Sequence, residues 1–319
     1  MAAEVRTPIT QALNDGALTR RELKQLMRRS DAPALTWLAA HLALMGLTAT
    51  AIWAAQGTLW ILPAMFVQGV VLVHLFSLQH ECVHYTPFKT RWLNDLVGSL
   101  CGLAIILPHQ HFRYEHCDHH TYTQLNGRDP ELIELPMSVG AYLWYISSVP
   151  YWTNYVTQIL RHASGRLNAT DRTFITKHIA PTIFREARLM LGAYAVLAVA
   201  SLAFGWTGVL TYWLIPLLLG QPVMRAIRLT EHVGRPNVDD LTENTRTNLV
   251  TKPMQFLCWN MNYHAEHHYA ASVPFHALPA LHKKLDGYVH VEPRGYLGAH
   301  LDILRQLTGR APRADGKAA

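Results

Sequence analysis

The sequence predicts an all-α integral membrane protein: four transmembrane helices in two hairpins, with a cytoplasmic helical cap. Two observations predict it. No Lys, Arg, Asp or Glu occurs among the 48 residues 32–79, and none among the 36 residues 189–224. A spanning helix takes about 20 mostly apolar residues, so each uncharged block holds two spans and a turn. Global averages of 16% charged residues and a mean hydropathy of +0.05 conceal this pattern, because the charge is spread so unevenly.

The elements follow in order. Residues 1–33 read as a cytoplasmic basic segment; its stretch LTRRELKQLMRR, 18–29, is helix-prone and is expected to lie on the membrane surface. Apolar sequence begins only near Ala34, so no cleavable signal peptide is expected. The first hairpin comprises 34–54 and 58–78, turning at Gln56, Gly57 and Thr58. The second comprises 188–204 and 208–226, turning at Gly205, Trp206, Thr207 and Gly208. Neither turn is charged, so all 28 Lys and Arg fall on the opposite side or at its edge. The positive-inside rule makes that side the cytoplasm and places both termini there. A pI near 9.2 is then accounted for by an anionic membrane surface and requires no nucleic acid.

Two further apolar stretches, 96–107 and 137–160, could upset this count. The first is short for a span and the second is rich in Tyr, Trp and Pro, so both are expected to be re-entrant or interfacial helices. The membrane domain thus runs over 34–309, and 310–319 (RAPRADGKAA) reads as a disordered tail. Cys82, Cys101, Cys117 and Cys258 form no CxxC pair and fall on the cytoplasmic side, where disulfides are not expected.

Three histidine clusters carry the chemistry: HECVH with His80 and His84, HCDHH with His116, His119 and His120, and HAEHH with His264, His267 and His268. Offsets of three and four residues fall on one face of a helix, so each cluster can present its rings to one point. The clusters follow span two, precede span three and follow span four, which puts all three on one side of the membrane. Eight imidazoles exceed what one tetrahedral zinc uses, but they suit two metal ions with about four ligands each and open positions. Imidazole accepts iron, zinc or copper, so ligand type alone does not choose the metal. His41 and His74 lie inside spans, and His109 and His111 are out of helical register with the second cluster; all four read as structural, with His74 the candidate to border a substrate channel. His276, His282 and His290 share no helical face and read as interfacial.

HX3H, HX2HH and HX2HH, in this order and separated by two membrane hairpins, resemble the three histidine boxes of the integral-membrane fatty acid desaturase and hydroxylase superfamily. FRYEHCDHHTYT running on to GRDPE, TEHVGRPNVDDLTENTRT and WNMNYHAEHHYAASVPFHALPALH are similar to its bacterial members, and the resemblance covers roughly residues 18–290. It implies two iron ions in a diiron centre that uses O2 to remove hydrogen from an unactivated C–H bond, in a bacterial inner membrane. It also implies that the eight box histidines are ligands, joined by His232 in TEHVG. Each site has an adjacent acid, Glu81, Asp118, Glu231 or Glu266; these are candidates to orient a ligand ring from another box, since metal-bound histidines usually donate their second N–H to a carboxylate or carbonyl. Asn262, or Asn260, is a candidate to hold a metal-bound water.

The expected function is a fatty-acyl lipid desaturase. A hydroxylase or ketolase of a lipid, carotenoid or other hydrophobic molecule uses the same motifs, and no residue in them separates desaturation from hydroxylation. A histidine-rich metal transporter would place its ligands within the spans along a pathway, whereas these clusters lie outside them. No segment resembles a haem-binding domain, so a separate ferredoxin- or rubredoxin-like electron donor is expected.

Overall fold

A computed structural model describes residues 8–136 and 138–314. Met137 and the termini 1–7 and 315–319 lie outside the described residues, and with them parts of the expected basic segment and tail. The chain is mostly helical; its one sheet among the described residues is a two-residue parallel pair, Thr247–Asn248 against Val291–Glu292.

Three helices are long and apolar enough to cross a membrane: Asp31–Ala54, Ile61–Val83 and Ala180–Ala203. The first and third expose apolar side chains along their length, including Leu42, Leu47, Leu189, Val196 and Leu202, as lipid-facing helices do. Ile61–Val83 is instead central and buried. It is divided at His74, whose Nδ1 lies 2.6 Å from the Val70 carbonyl one turn back. The fourth expected span, 208–226, is helical further than expected, opening with a π-helical turn at Leu210–Leu214 and continuing as Ile215–His232. This helix makes the most extensive helix packing in the molecule, against Ile61–Val73. Its axis comes close because Gly69 and Gly220 face each other: a Cβ on Gly69 would sit 1.9 Å from the Pro216 carbonyl oxygen, and one on Gly220 would sit 2.2 Å from the Gly69 carbonyl carbon. Small residues at a helix crossing serve this purpose in membrane proteins.

The expected second hairpin is looser than the first. Asp31–Ala54 packs along Ile61–Val73, but Ala180–Ala203 lies mainly on the Val149–Ala163 helix and meets the next helix at Tyr194 and Trp213, with ring centroids 5.9 Å apart.

The stretch 96–107 ends in a sharp reversal. Arg91–Ile105 and His109–Tyr122 meet at 102°, the geometry of a broken span or re-entrant loop. Ile106 takes a left-handed backbone, φ 60°, which disfavours a β-branched residue by roughly 1–2 kcal/mol. The turn is held by the Leu107 N–H on the Gly102 carbonyl, 2.8 Å, and by Gln79 Nε2 donating to the Leu107 carbonyl, 2.8 Å. Pro108 then starts the next helix. The stretch 137–160 becomes two short helices, Val139–Ile146 and Val149–Ala163.

The basic N-terminal segment is helical and docks on the protein through the residues ahead of it. Its helix, Arg20–Leu26, is started by a capping box between Thr19 and Glu22, but Leu18 and Ala12 are fully buried in the main core, and Lys284 donates to Glu22 at 2.7 Å. Apolar side chains on either side of the charged run give it a protein surface to dock on. Residues 310–314 continue from the last helix, with the Arg310 N–H on the Arg305 carbonyl. All four cysteines are free.

Candidate metal centre

Local structure brings the nine histidines into one buried region. His80 lies in the last turn of the central Leu75–Val83 helix, and His84 caps it. His116, His119 and His120 share a face of His109–Tyr122, which the reversal at Ile106 turns back toward the centre. His232 is the last residue of Ile215–His232. His264, His267 and His268 occupy a six-residue helix, His264–Tyr269, preceded by left-handed Trp259 (φ 50°) and Asn260 (φ 58°). Those two strained residues are fixed by the complete burial of the Trp259 indole and by Asn260 donating to the Phe275 carbonyl, 3.1 Å.

The rings form two adjoining groups. His80, His84, His116, His120 and His267 bring one ring nitrogen each within 4.8 Å of one another; so do His119, His232 and His268. His264 joins the second group, its Nε2 lying 2.9 Å from that of His232 and 3.1 Å from that of His268. His120 and His268 stack at 4.2 Å where the groups meet.

The choice of ring nitrogen is decisive. His116 Nδ1 lies 2.7 Å from Glu131 Oε1, and His119 Nδ1 lies 2.8 Å from Asp129 Oδ1. His232 Nδ1 lies 3.1 Å from the Asn244 carbonyl, and His268 Nδ1 lies 3.2 Å from the Thr123 hydroxyl, which itself donates to the His119 carbonyl. Each of these partners accepts, so each Nδ1 carries the proton and each Nε2 presents a lone pair. Those lone pairs converge. His264 Nε2 faces the Nε2 atoms of His232 and His268, and His120 Nε2 faces those of His116 and His267 at 3.0 and 3.1 Å. A single ring proton on His264 or on His120 can serve only one of its two neighbours. Both nitrogens of His80, and Nε2 of His84 and His119, are buried without a hydrogen-bond partner among the described residues. Burying unpaired nitrogen is costly, and metal ions at the two convergence points would satisfy Nε2 of His84 and of His119 and one of the two nitrogens of His80. The donor set therefore fits two metals held by neutral imidazoles.

Electrostatics agree. Burial first, and neighbouring rings second, hold His264 and His268 well below the ordinary imidazole pKa, in the neutral form that binds metal. Burial works against ionising Asp129, but the hydrogen bond and charge of His119, together with the Gln124 and Glu131 backbone N–H groups, outweigh this and keep the carboxyl below its usual range.

The acids beside the boxes divide. Glu81 Oε1 lies 3.7 Å from His267 Nδ1, and Glu231 Oε1 lies 3.9 Å from His264 Nδ1, each facing a ring of another segment. Asp118 and Glu266 do not fit the expected role. Asp118 is half-buried and pairs with none of the nine rings. Glu266 is fully buried but accepts from Thr247 Oγ1 and faces His282 Nδ1, so it braces the third cluster from behind. His282, expected at the interface, is thereby part of this brace. Asn262 spends its amide nitrogen on the Asn248 carbonyl at 3.0 Å, away from a water-holding role, and Asn260 is occupied at Phe275.

Glu131 and Asp129, which hold two rings directly, were not singled out from the sequence. They lie in GRDPE, nine and eleven residues past His120, and a loop supplies them. Arg228 ties this support together, bonding Glu131 Oε2 at 2.6 Å and also Glu231 Oε2. His74, the rings of His80 and His264, and the apolar Met224, Ile227 and Met261 line one small pocket beside the centre. His41 and His109 are structural: His41 Nε2 donates to the Val71 carbonyl, and Arg113 donates to His109 Nε2.

Comparison with known proteins adds the following. Residues 66–296 match the family model described as fatty acid desaturase. The chain is 24% identical over 242 residues to an sn-1 oleoyl-lipid 12-desaturase of Synechocystis sp., covering 68% of this chain and 66% of that protein. It is 26% identical over 264 residues to the sn-1 oleoyl-lipid 12-desaturase of Arthrospira platensis, covering 73% and 72% respectively. An sn-1 acyl-lipid omega-3 desaturase (ferredoxin) of Nostoc sp. matches at 24% over 162 residues, 48% of this chain and 44% of that one. The chain thus spans about two thirds of the length of the first two relatives.

Proposed function

The chain belongs to the fatty acid desaturase family, and from that premise we propose that it is an acyl-lipid desaturase: an oxidoreductase that introduces a double bond into a fatty-acyl chain of a membrane lipid. The observation that carries this reading is the convergence of nine imidazoles into two groups, with four Nδ1 protons pinned and the Nε2 lone pairs turned inward.

Two iron ions would be held by His80, His84, His116, His120 and His267 on one side and by His119, His232, His264 and His268 on the other. With O2 as co-substrate, that pair supplies the oxidising chemistry at an unactivated C–H bond. The residues of the chain provide the rest. Glu131, Asp129, the Asn244 carbonyl and Thr123 hold rings in the metal-binding tautomer, and Arg228 neutralises the buried carboxylates behind them. Met224, Ile227 and Met261, beside His80 and His264, make the immediate surroundings of the centre apolar and keep water from it.

The membrane arrangement belongs to the same reading. Four spans, the fourth being Leu210–His232, run in two hairpins through a bacterial inner membrane, with the metal centre and both termini cytoplasmic and 34–309 forming one membrane domain. Exposed apolar faces on Asp31–Ala54 and Ala180–Ala203 support insertion. Electrons come from a separate ferredoxin- or rubredoxin-like protein docking on the basic cytoplasmic face; the ferredoxin in the name of the Nostoc relative supports that class of donor.

Mass spectrometry of lipid extracts from cells with and without the protein tests the proposal. Acyl chains lighter by two hydrogens are the expected result. A gain of one oxygen would move the assignment to hydroxylation, and no change in any lipid class would overturn it.

A further inference from the structure

His111 opens the helix that carries the second cluster, yet its ring turns to a different set of partners. Its Nε2 lies 3.1 Å from Asp171 Oδ1, while His162 Nε2 lies 3.0 Å from Asp171 Oδ2. The three side chains come from separate segments: His111 from the first turn of His109–Tyr122, His162 from the last turn of Val149–Ala163, and Asp171 from the short Asp171–Phe174 helix ahead of the third long helix. None is more than 1% exposed. One donor atom from each lies within 4.8 Å of the others.

As a plain hydrogen-bond network, this arrangement is inconsistent at two atoms. His111 Nε2 is also 3.0 Å from Gln158 Nε2. Asp171 only accepts and an amide nitrogen only donates, so His111 Nε2 would need a proton for one and a lone pair for the other. Turning the Gln158 amide, whose oxygen and nitrogen are assigned by such contacts, puts a second acceptor against one ring proton. Protonating both Nε2 atoms also leaves both Nδ1 atoms as buried lone pairs; neither has a partner among the described residues, and that of His111 faces Glu115 Oε2 at 3.7 Å.

A cation removes the first conflict and eases the second. With Nε2 of each ring, Asp171 and the turned Gln158 oxygen directed at one ion, each of those lone pairs has a partner, and the His111 Nδ1 proton points at the Glu115 carboxyl group 3.7 Å away, while the His162 Nδ1 proton has no partner among the described residues. This is the carboxylate, histidine and metal order that binding sites use. Two imidazoles, a carboxylate and an amide oxygen make a four-coordinate set of the kind zinc accepts. A polar cavity of about 450 Å³, lined in part by Glu115, Asn154, Gln158, Asn168 and Asp171, provides an entry path.

We propose that His111, His162 and Asp171, with Gln158 as the fourth ligand, bind one divalent transition-metal ion of the zinc class, distinct from the nine-histidine centre. No ligand is shared, and His111 stands about 7.5 Å along the helix axis from His116 at 1.5 Å per residue. The ion fastens the start of the second-cluster helix to the Val149–Ala163 helix and to the segment entering the third long helix. Glu186 of that long helix already accepts the Gln110 and His111 backbone N–H groups at 2.8 and 3.2 Å, so the ion completes an existing anchor.

The test uses the full chain in detergent, loaded anaerobically with two equivalents of Fe2+ per chain and then given Zn2+ alone, with both metals counted per chain. Wild-type protein should take one zinc with no loss of iron, and its Tm should rise. Asp171→Asn should lose the zinc and the Tm response while keeping its iron. His162→Cys retains a ligand, so with Co2+ it should show a thiolate charge-transfer band that wild type lacks. Wild-type protein that takes no zinc beyond its iron, zinc uptake unchanged in Asp171→Asn, or a His162→Cys protein without the cobalt band would each overturn the site. None of these readouts depends on desaturase activity.

Discussion

Along the His109–Tyr122 helix, carboxylates meet histidines in two opposite ways. At His116 and His119 the acids Glu131 and Asp129 take Nδ1, leaving Nε2 to point at other rings. At His111, five residues earlier, Asp171 takes Nε2 and Nδ1 is left bare. Residue types, burial and helix are the same. An acid on Nδ1 fixes a tautomer and sets the ring up as a ligand through Nε2. An acid on Nε2 stands where a metal would stand or beside it, so it is either the end of a hydrogen-bond network or a member of the coordination set itself.

The largest effects separate the two constructions. His116→Ala and His264→Ala should each abolish double-bond formation and lower bound iron, while the protein still inserts in the membrane; lipid analysis and iron content of purified membranes check this. His232→Ala should behave in the same way although it lies outside the three boxes, because its Nε2 completes the second group. Retained activity in His232→Ala would remove it from the centre. Glu131→Gln should follow, with a loss on the order of 10- to 100-fold in iron affinity or activity, as for other groups that orient a metal-bound histidine. It frees one tautomer and leaves Arg228 with Glu231 alone.

Asp171→Asn is the change that breaks or sharpens the contrast. Asp171 is buried and lies 3.1 and 3.0 Å from two histidine nitrogens, against 2.7 Å for Glu131, but the change should leave iron content and desaturation within a few fold of wild type while lowering Tm. If it instead emptied the nine-histidine centre, the two constructions would be one cooperative unit. Acid should reach this anchor as well. Burial works against ionising Asp171, but the His111 and His162 hydrogen bonds, the Asn168 N–H and the His111 charge together outweigh it and hold the folded carboxyl below its ordinary range, so its stabilisation is present above the usual Asp pKa and is lost as pH falls below it.

Much of this was legible in the sequence because helical spacing is a local property. Offsets of three and four residues put His116, His119 and His120 on one face whatever the fold around them, and an uncharged run as long as 32–79 reads as membrane in any context. What spacing does not carry is which distant atom lies behind a ring. Glu131 and Asp129 reach their histidines from a loop, while the acids that adjoin the boxes in sequence face other segments, as adjacent helical residues must. The Ile106 reversal was likewise only a composition argument until Gly102, Gln79 and Pro108 were seen to hold it.

The stretch 276–290 gives the smaller effects. His276, His282 and His290 look alike in sequence, but only His282 faces the buried Glu266, so removing it leaves that carboxylate short of a donor. His282→Ala should cost roughly 1–3 kcal/mol of stability, the penalty for an unsatisfied buried group, with iron retained; His276→Ala should stay within about 0.5 kcal/mol. Equal melting shifts would show that Glu266 is held by Thr247 alone.

The smallest effect is expected at Asp118. It sits inside the HCDHH motif between two rings of the centre, and sequence adjacency alone would make it as important as Glu131. Its side chain, however, is half-buried and bonds none of those rings, and burial is the main influence raising its pKa, with Arg128 opposing. Asp118→Asn should therefore change stability by no more than about 0.5 kcal/mol and leave iron binding and lipid desaturation unchanged. A loss comparable to Glu131→Gln would mean that the helix turns in the working enzyme so that Asp118, rather than the loop acids, stands behind a ligand.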